Sequence, residues 1–124
     1  MTIIFKDFQK LDIRIGTVKK AEVPKWSHWV IKLTVVLGPE IGDRTIFAGM
    51  LGFYKPEDFV GKQFPFLVNI EPKKIGPEGD YSEGMMMAAS KFLDKPIVVE
   101  GEETNEKPVF LTPSEKVENG AKVR

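Results

Sequence analysis

Ile31-Lys32-Leu33-Thr34-Val35-Val36-Leu37 is the stretch on which the architecture turns. Ile31, Leu33, Val35 and Leu37 alternate with Lys32, Thr34 and Val36, the two-residue period of a strand with one buried face. After it, Gly38-Pro39-Glu40-Ile41-Gly42-Asp43 is dense in turn formers and leads into a short strand, Arg44 to Ala48, centred on Ile46. The two runs make a hairpin. Before it, Asp12 to Val23 predicts another strand, in which Ile13 and Ile15 share one parity and Val18 takes the other; Gly16 between them predicts a β-bulge.

The pattern continues towards the C-terminus. Lys55-Pro56-Glu57-Asp58-Phe59-Val60-Gly61 has proline at a helix start, acids in the first turn and glycine at the C-cap, which predicts one or two helical turns. Gln63 to Ile70 is a fourth strand with Phe64, Phe66, Val68 and Ile70 inward, and Pro65 on the opposite parity places part of it at an edge. Glu71 to Tyr81, with two prolines, two glycines and Lys73-Lys74, predicts a flexible, partly basic loop. Gly84 to Ala89 is the fifth strand; if Met86 is buried, Met85 and Met87 face the other way. Two weaker strands, Ile97 to Val99 and Val109 to Leu111, flank a charged loop from Glu100 to Lys107. Five short strands with a brief helix before the fourth describe an all-β, five-stranded OB-fold barrel with a C-terminal extension. SH3-like barrels and small sandwiches share this periodicity.

The 124 residues, 42% of them hydrophobic, suffice for one packed core, and a single domain over residues 1–124 is expected. Eighteen Lys+Arg balance eighteen Asp+Glu, so any basic face must be local. The absence of cysteine removes disulfides, thiolate nucleophiles and thiolate metal sites. The opening Met1-Thr2-Ile3-Ile4-Phe5-Lys6-Asp7 reaches an acid too early for a signal peptide. No apolar run approaches the roughly twenty residues that cross a bilayer. A cytoplasmic protein without membrane attachment is expected.

Catalytic chemistry finds little support. The one histidine, His28, has no cysteine to activate and no second histidine for a metal. No serine lies in a Gly-x-Ser-x-Gly elbow. The acids at Glu57-Asp58 and at Glu100, Glu102 and Glu103 have the pattern of solvated surface. Neither an enzyme nor a cofactor is expected. What remains is a scatter of cations, including Arg14, Lys19, Lys20, Lys32, Arg44, Lys73 and Lys74, with Trp26, Trp29, Tyr54 and Tyr81 available to stack on bases. Arg14 and Lys32 take outward parity on the two early strands, where an OB barrel meets oligonucleotides.

Five motifs in order then carry a resemblance over nearly the whole chain. They are Leu11-Asp12-Ile13-Arg14-Ile15-Gly16, Gly52-Phe53-Tyr54-Lys55-Pro56-Glu57 with Gly61-Lys62, Asn69-Ile70-Glu71-Pro72-Lys73-Lys74-Ile75, Ser82-Glu83-Gly84-Met85, and the tail Leu111-Thr112-Pro113 with Gly120 to Val123. The chain resembles the tRNA-binding domain of stand-alone bacterial proteins and of some methionyl-tRNA synthetases, with the CsaA-like secretion chaperones as a sister branch. The resemblance implies an OB barrel and a homodimer that binds folded tRNA by shape and backbone, with an aminoacyl-tRNA synthetase as a candidate partner. Arg44, Lys74, Ser82 and Met85 match positions the family uses, and Arg14, Lys32 and Lys73 complete the expected RNA-binding set. The chain departs from the family pattern at Trp26-Ser27-His28-Trp29-Val30, where members commonly carry Asn-x-Ala-Asp-Lys-Leu, and at Thr17, where a basic residue is common. The alternative implied by the sister branch is capture of unfolded or export-competent polypeptides.

Overall fold

The computed structural model describes residues 1–99 and 101–124. Helix α1 (Phe5–Gln9) precedes strands β1 (Ile13–Glu22), β2 (Ile31–Val36) and β3 (Asp43–Ala48). A single 3-10 turn, Pro56–Asp58, leads to β4 (Gln63–Leu67), β5 (Lys73–Ile75), β6 (Asp80–Ser82), β7 (Met85–Met86), β8 (Ala88–Val99) and β9 (Glu102–Phe110). Five strands in the order β3-β2-β1-β4-β7 form one antiparallel sheet that curls into a nearly closed barrel of the OB type. The period of β2 is borne out, with Ile31, Leu33 and Val35 buried and Lys32, Thr34 and Val36 partly exposed.

The barrel interior is filled by Val18, Ile31, Leu33, Val35, Leu37 and Ile46 against Phe59, Phe64 and Phe66, all fully buried. Each such side chain stabilises the fold by about 1.5–3 kcal/mol relative to exposure. Phe110 of β9 joins this core, stacking on Tyr54 at 4.2 Å and lying 4.9 Å from Phe64. Tyr54 donates its hydroxyl to the Pro108 carbonyl at 2.7 Å, tying β9 to the turn that precedes the 3-10 segment.

Several expectations are corrected. The irregularity in β1 falls between Val18 and Lys20, not at Gly16. Ile13 and Ile15 and the later Val18 differ in parity because β1 is covered on both faces. Gly16 and Val18 approach the core residues Val35 and Leu37, while Ile15 shares a groove with Pro65, Leu111, Pro113, Val117 and Val123. The C-terminal segment runs antiparallel along β1, with Ile15 N–H donating to Ala121 and Gly120 and Val123 N–H donating to Ile15 and Ile13. That cover also overturns the outward placement of Arg14, which is buried at 8% exposure. Ile70 lies beyond the end of β4 and is 41% exposed, not inward.

The segment Glu71 to Tyr81 is not a loop throughout, because β5 and β6 pair across it as a hairpin. The charged stretch before Lys107 is likewise a strand. Val99 pairs with Glu102 and Ala88 with Phe110, so β8 and β9 form their own two-stranded sheet, with Gly101 at φ 76°. Glu100 lies outside the described residues. The short helix α1, which the apolar pattern did not announce, buries none of its residues.

Candidate nucleic-acid interface

The outward face of β2 and β3 brings Lys32 opposite Phe47 and Thr34 opposite Thr45. Two excursions border it: residues 23–30 between β1 and β2, and the β5–β6 hairpin between β4 and β7. In OB barrels this face and these two connections receive oligonucleotides.

The first excursion is built around Ser27. Its buried hydroxyl accepts the main-chain N–H groups of Trp29 at 3.2 Å and Val30 at 2.9 Å, while Leu51 N–H donates to the Trp29 carbonyl at 3.1 Å. The backbone is thereby fixed on both sides of an indole that is 50% exposed. Trp26 meets Trp29 edge to face at 6.4 Å and leans on Phe47 at 6.2 Å. The second excursion reaches back to the same place. Gly76, in its turn, lies so close to Trp26 that a Cβ there would sit 2.4 Å from the ring.

The base of that hairpin seals the barrel. The sheet ends at β3 and β7, and Ser82 and Glu83 bridge the gap. Ser82 Oγ accepts Phe47 N–H at 3.0 Å and donates to the Gly84 carbonyl at 2.9 Å. Glu83 N–H donates to the Thr45 carbonyl at 2.8 Å, and Glu83 Oε1 accepts Thr45 N–H at 3.1 Å. Arg44 Nη1 donates to the carbonyls of Val68 at 2.6 Å and Glu83 at 3.2 Å, one on each side of the hairpin. The backbone polar groups of an open sheet edge thus find partners.

The expected site residues fall into two groups. Lys32, Lys73, Lys74 and Met85 present side chains to solvent, Lys32 partly. Lys32 lies 3.6 Å from Asp80 of β6, and Lys74 stands across from the exposed Tyr81. Arg14, Arg44 and Ser82 are engaged within the protein. Arg14 Nε donates to Asp12 at 2.6 Å and Nη1 to Glu40 at 3.2 Å and the Gly120 carbonyl at 3.1 Å. The hydrogen bonds to Asp12, and then to Glu40, hold its guanidinium protonated beyond an ordinary arginine. Lys32 pairs with Glu22, eight residues along β1 from Arg14, so about 25 Å of strand separates the two cations. The structure brings Lys32 and the hairpin together and leaves Arg14 apart.

Sequence reasoning missed Phe47, Asp80 and Gly76. Phe47 was accessible to it, since it alternates with the inward Ile46 and Ala48. Gly76 was not, because its importance comes from a tryptophan fifty residues earlier in the chain. Among the described residues no group of three or more His, Cys, Asp or Glu could hold a metal ion, and no helix is long and apolar enough to cross a membrane.

Comparison with known proteins agrees with this geometry. The tRNA binding domain family matches residues 13–122. The methionine–tRNA ligase of Archaeoglobus fulgidus is 41% identical over 121 residues, which are 98% of this chain and 16% of that protein. The ligase of Methanococcoides burtonii is 44% identical over 104 residues, 83% of this chain and 15% of that one. The chain therefore spans about a sixth of these relatives. Among solved structures, a MetRS-related protein from Pyrococcus horikoshii superimposes with a TM-score of 0.82 at 32% identity, covering 100% of this chain and 99% of that one. The chaperone CsaA from Bacillus anthracis reaches 0.76 at 31% identity, with both chains covered completely. The matched family is a non-catalytic binding domain that these ligases carry as one part. On this match and this barrel, the chain belongs to the tRNA-binding domain family, related both to the methionyl-tRNA synthetase domain and to the CsaA chaperones.

Proposed function

We propose that this chain binds folded tRNA by shape and backbone, using the β2–β3 face together with the β5–β6 hairpin. The observation that carries the proposal is that the β5–β6 hairpin, which bears the exposed Lys73 and Lys74, is held through Asp80 against Lys32 of an outward face that also carries Phe47, in a chain whose formal net charge is zero. A local cluster of ammonium groups neutralises phosphates and releases their counterions, and side-chain contacts to sugar and phosphate read shape without reading sequence. In this reading Met85 lies against sugar or base from β7. Ser82 and Arg44 hold the hairpin from beneath, and Arg44 turns its Nη2 towards phosphate. Arg14 braces the far end of the barrel.

The relatives suggest a setting. In the ligases the matched domain is a small part of a longer protein, and we propose for this chain the role of a methionyl-tRNA synthetase beta-like auxiliary. A homodimer is part of the proposal, supported by apolar residues left uncovered on α1 and on the β8–β9 hairpin. A second reading, capture of extended polypeptides, is favoured by the likeness to CsaA over the full chain and by the exposed Trp29.

Titration with total tRNA at low and moderate salt, with an unfolded polypeptide as competitor, tests both. Phosphate binding weakens steeply as salt rises, by a slope of about 0.9 per contact, whereas apolar capture does not. Salt-sensitive tRNA binding that the polypeptide leaves unchanged, and that falls when Lys73 and Lys74 are both replaced by alanine, is the expected result. Polypeptide capture without tRNA binding would replace the first reading by the second.

A further inference from the structure

We infer that Trp26 and Gly76 form a positioning pair that fixes where the basic hairpin stands over the β2–β3 face; this rests on the tRNA-binding reading above. The hairpin is mounted at two points. Its base is bonded into the barrel seam through Ser82, Glu83 and Arg44. Its turn rests on Trp26, with help from the ion pair between Lys32 and Asp80. Lys73 and Lys74 lie between these points, so the seating of the turn sets their distance from Lys32.

The contact at the turn depends on close approach alone. Trp26 Nε1 is buried and has no hydrogen-bond partner among the described residues, so no polar bond anchors the indole. It is located by Trp29, Phe47 and the Gly76 backbone. Dispersion contacts of this kind fade within a fraction of an ångström. Only glycine satisfies them, because position 76 has φ 72° and a Cβ would meet two atoms of the indole at 2.4 Å. The tryptophan belongs to the same short stretch in which the chain departs from its family's Asn-x-Ala-Asp-Lys-Leu pattern.

The test is Gly76→Ala and, separately, Trp26→Leu, both with Lys73 and Lys74 intact. Each is titrated with tRNA across a range of salt beside the wild type and a Lys73→Ala, Lys74→Ala double variant. Lifting the turn is expected to lower affinity about tenfold and to reduce the salt slope by about 2, as the double variant does, although no charge has been removed. Adding Gly76→Ala to the double variant is expected to change affinity by less than about twofold, because the two alterations act through the same contacts. A loss of affinity at the wild-type slope overturns the proposal, since Trp26 then touches RNA itself; so does an unchanged affinity.

Amide hydrogen exchange on the free protein supplies the control that needs no RNA. Faster exchange in residues 73–75 and 80–82 of the Gly76→Ala protein, with β1 to β4 as protected as in the wild type, supports the mount. Unaltered exchange in the hairpin overturns it. Should the wild type fail to bind tRNA, the functional reading falls and the exchange result alone decides the positioning role.

Discussion

Ser82 and Phe47 close the barrel between them: the serine hydroxyl accepts the Phe47 main-chain N–H at 3.0 Å, where no strand among the described residues pairs with that edge of β3. The family resemblance places Ser82 on the RNA surface, yet the residue is buried, and its hydroxyl donates its one proton to the Gly84 carbonyl while accepting from Phe47. Ser82→Ala strands a part-buried N–H, and an unsatisfied donor of this kind costs about 1–3 kcal/mol. Urea denaturation is expected to show that loss. A Ser82→Ala protein as stable as the wild type but weaker for tRNA would instead return the hydroxyl to the ligand.

Gly16 makes a prediction of a different origin. A Cβ there would lie 2.6 Å from Val35 Cγ1 in the neighbouring strand β2 and 2.7 Å from Leu37 Cδ2 just beyond its end, both fully buried side chains. Neither can yield without moving the core, so Gly16→Ala is expected to destabilise the protein by about 1–3 kcal/mol through overpacking. Thermal unfolding reads the effect. A neutral substitution would show that the glycine serves the turn of β1 and not its packing.

These residues mark what local pattern can and cannot reveal. The alternation from Ile31 to Leu37 and the inward Phe64, Phe66 and Val68 were legible because the period of a strand is contained in a few successive residues. The cover over Ile13 and Ile15 was not, since it arrives from residues more than one hundred positions later, and parity then mistook two buried faces for a bulge. The β5–β6 hairpin was hidden for a related reason. Lys74 opposite Tyr81 has no apolar face to announce a strand, and tertiary support from Trp26 and the seam decides its conformation. For the candidate site, the basic loop and the outward Lys32 could be named from composition and parity. The internal engagement of Arg14, Arg44 and Ser82 could not, because their partners are mostly main-chain carbonyls and amides, whose positions no sequence motif records.

Tyr54 joins packing to pH. Burial, and then the charge of Asp58, push its phenol above the ordinary value of 10.0. A group whose pKa is higher folded than unfolded contributes stability that is intact below the unfolded value and is lost as pH rises through the folded one. The wild type is therefore expected to lose stability above about pH 10 by an amount that Tyr54→Phe does not lose, although the variant is weaker by about 1 kcal/mol at neutral pH for want of the bond to Pro108. Comparing urea midpoints of the two proteins near neutrality and above about pH 10 cancels the lysines common to both. Parallel pH curves would mean that the phenol is as solvated folded as unfolded.

The proposed homodimer turns on α1. Phe5 is 71% exposed, Ile3 and Ile4 are exposed beside it, and none of the five helix residues is fully buried, Asp7 and Phe8 being only partly covered, so little tertiary packing holds the helix. Isolated helices of this length are unstable in water, and a second copy packed on that face would supply what the single chain lacks. Sedimentation at tens of micromolar is expected to give twice the 14.0 kDa of one chain, and Phe5→Asp is expected to reduce it to one, by burying a charge at the contact. A wild type that sediments as a single chain rejects the pairing. A dimer indifferent to Phe5→Asp places the contact instead on the β8–β9 hairpin, where Val98 and Phe92 are as exposed as Phe5, and Val98→Asp is then the variant that separates the chains.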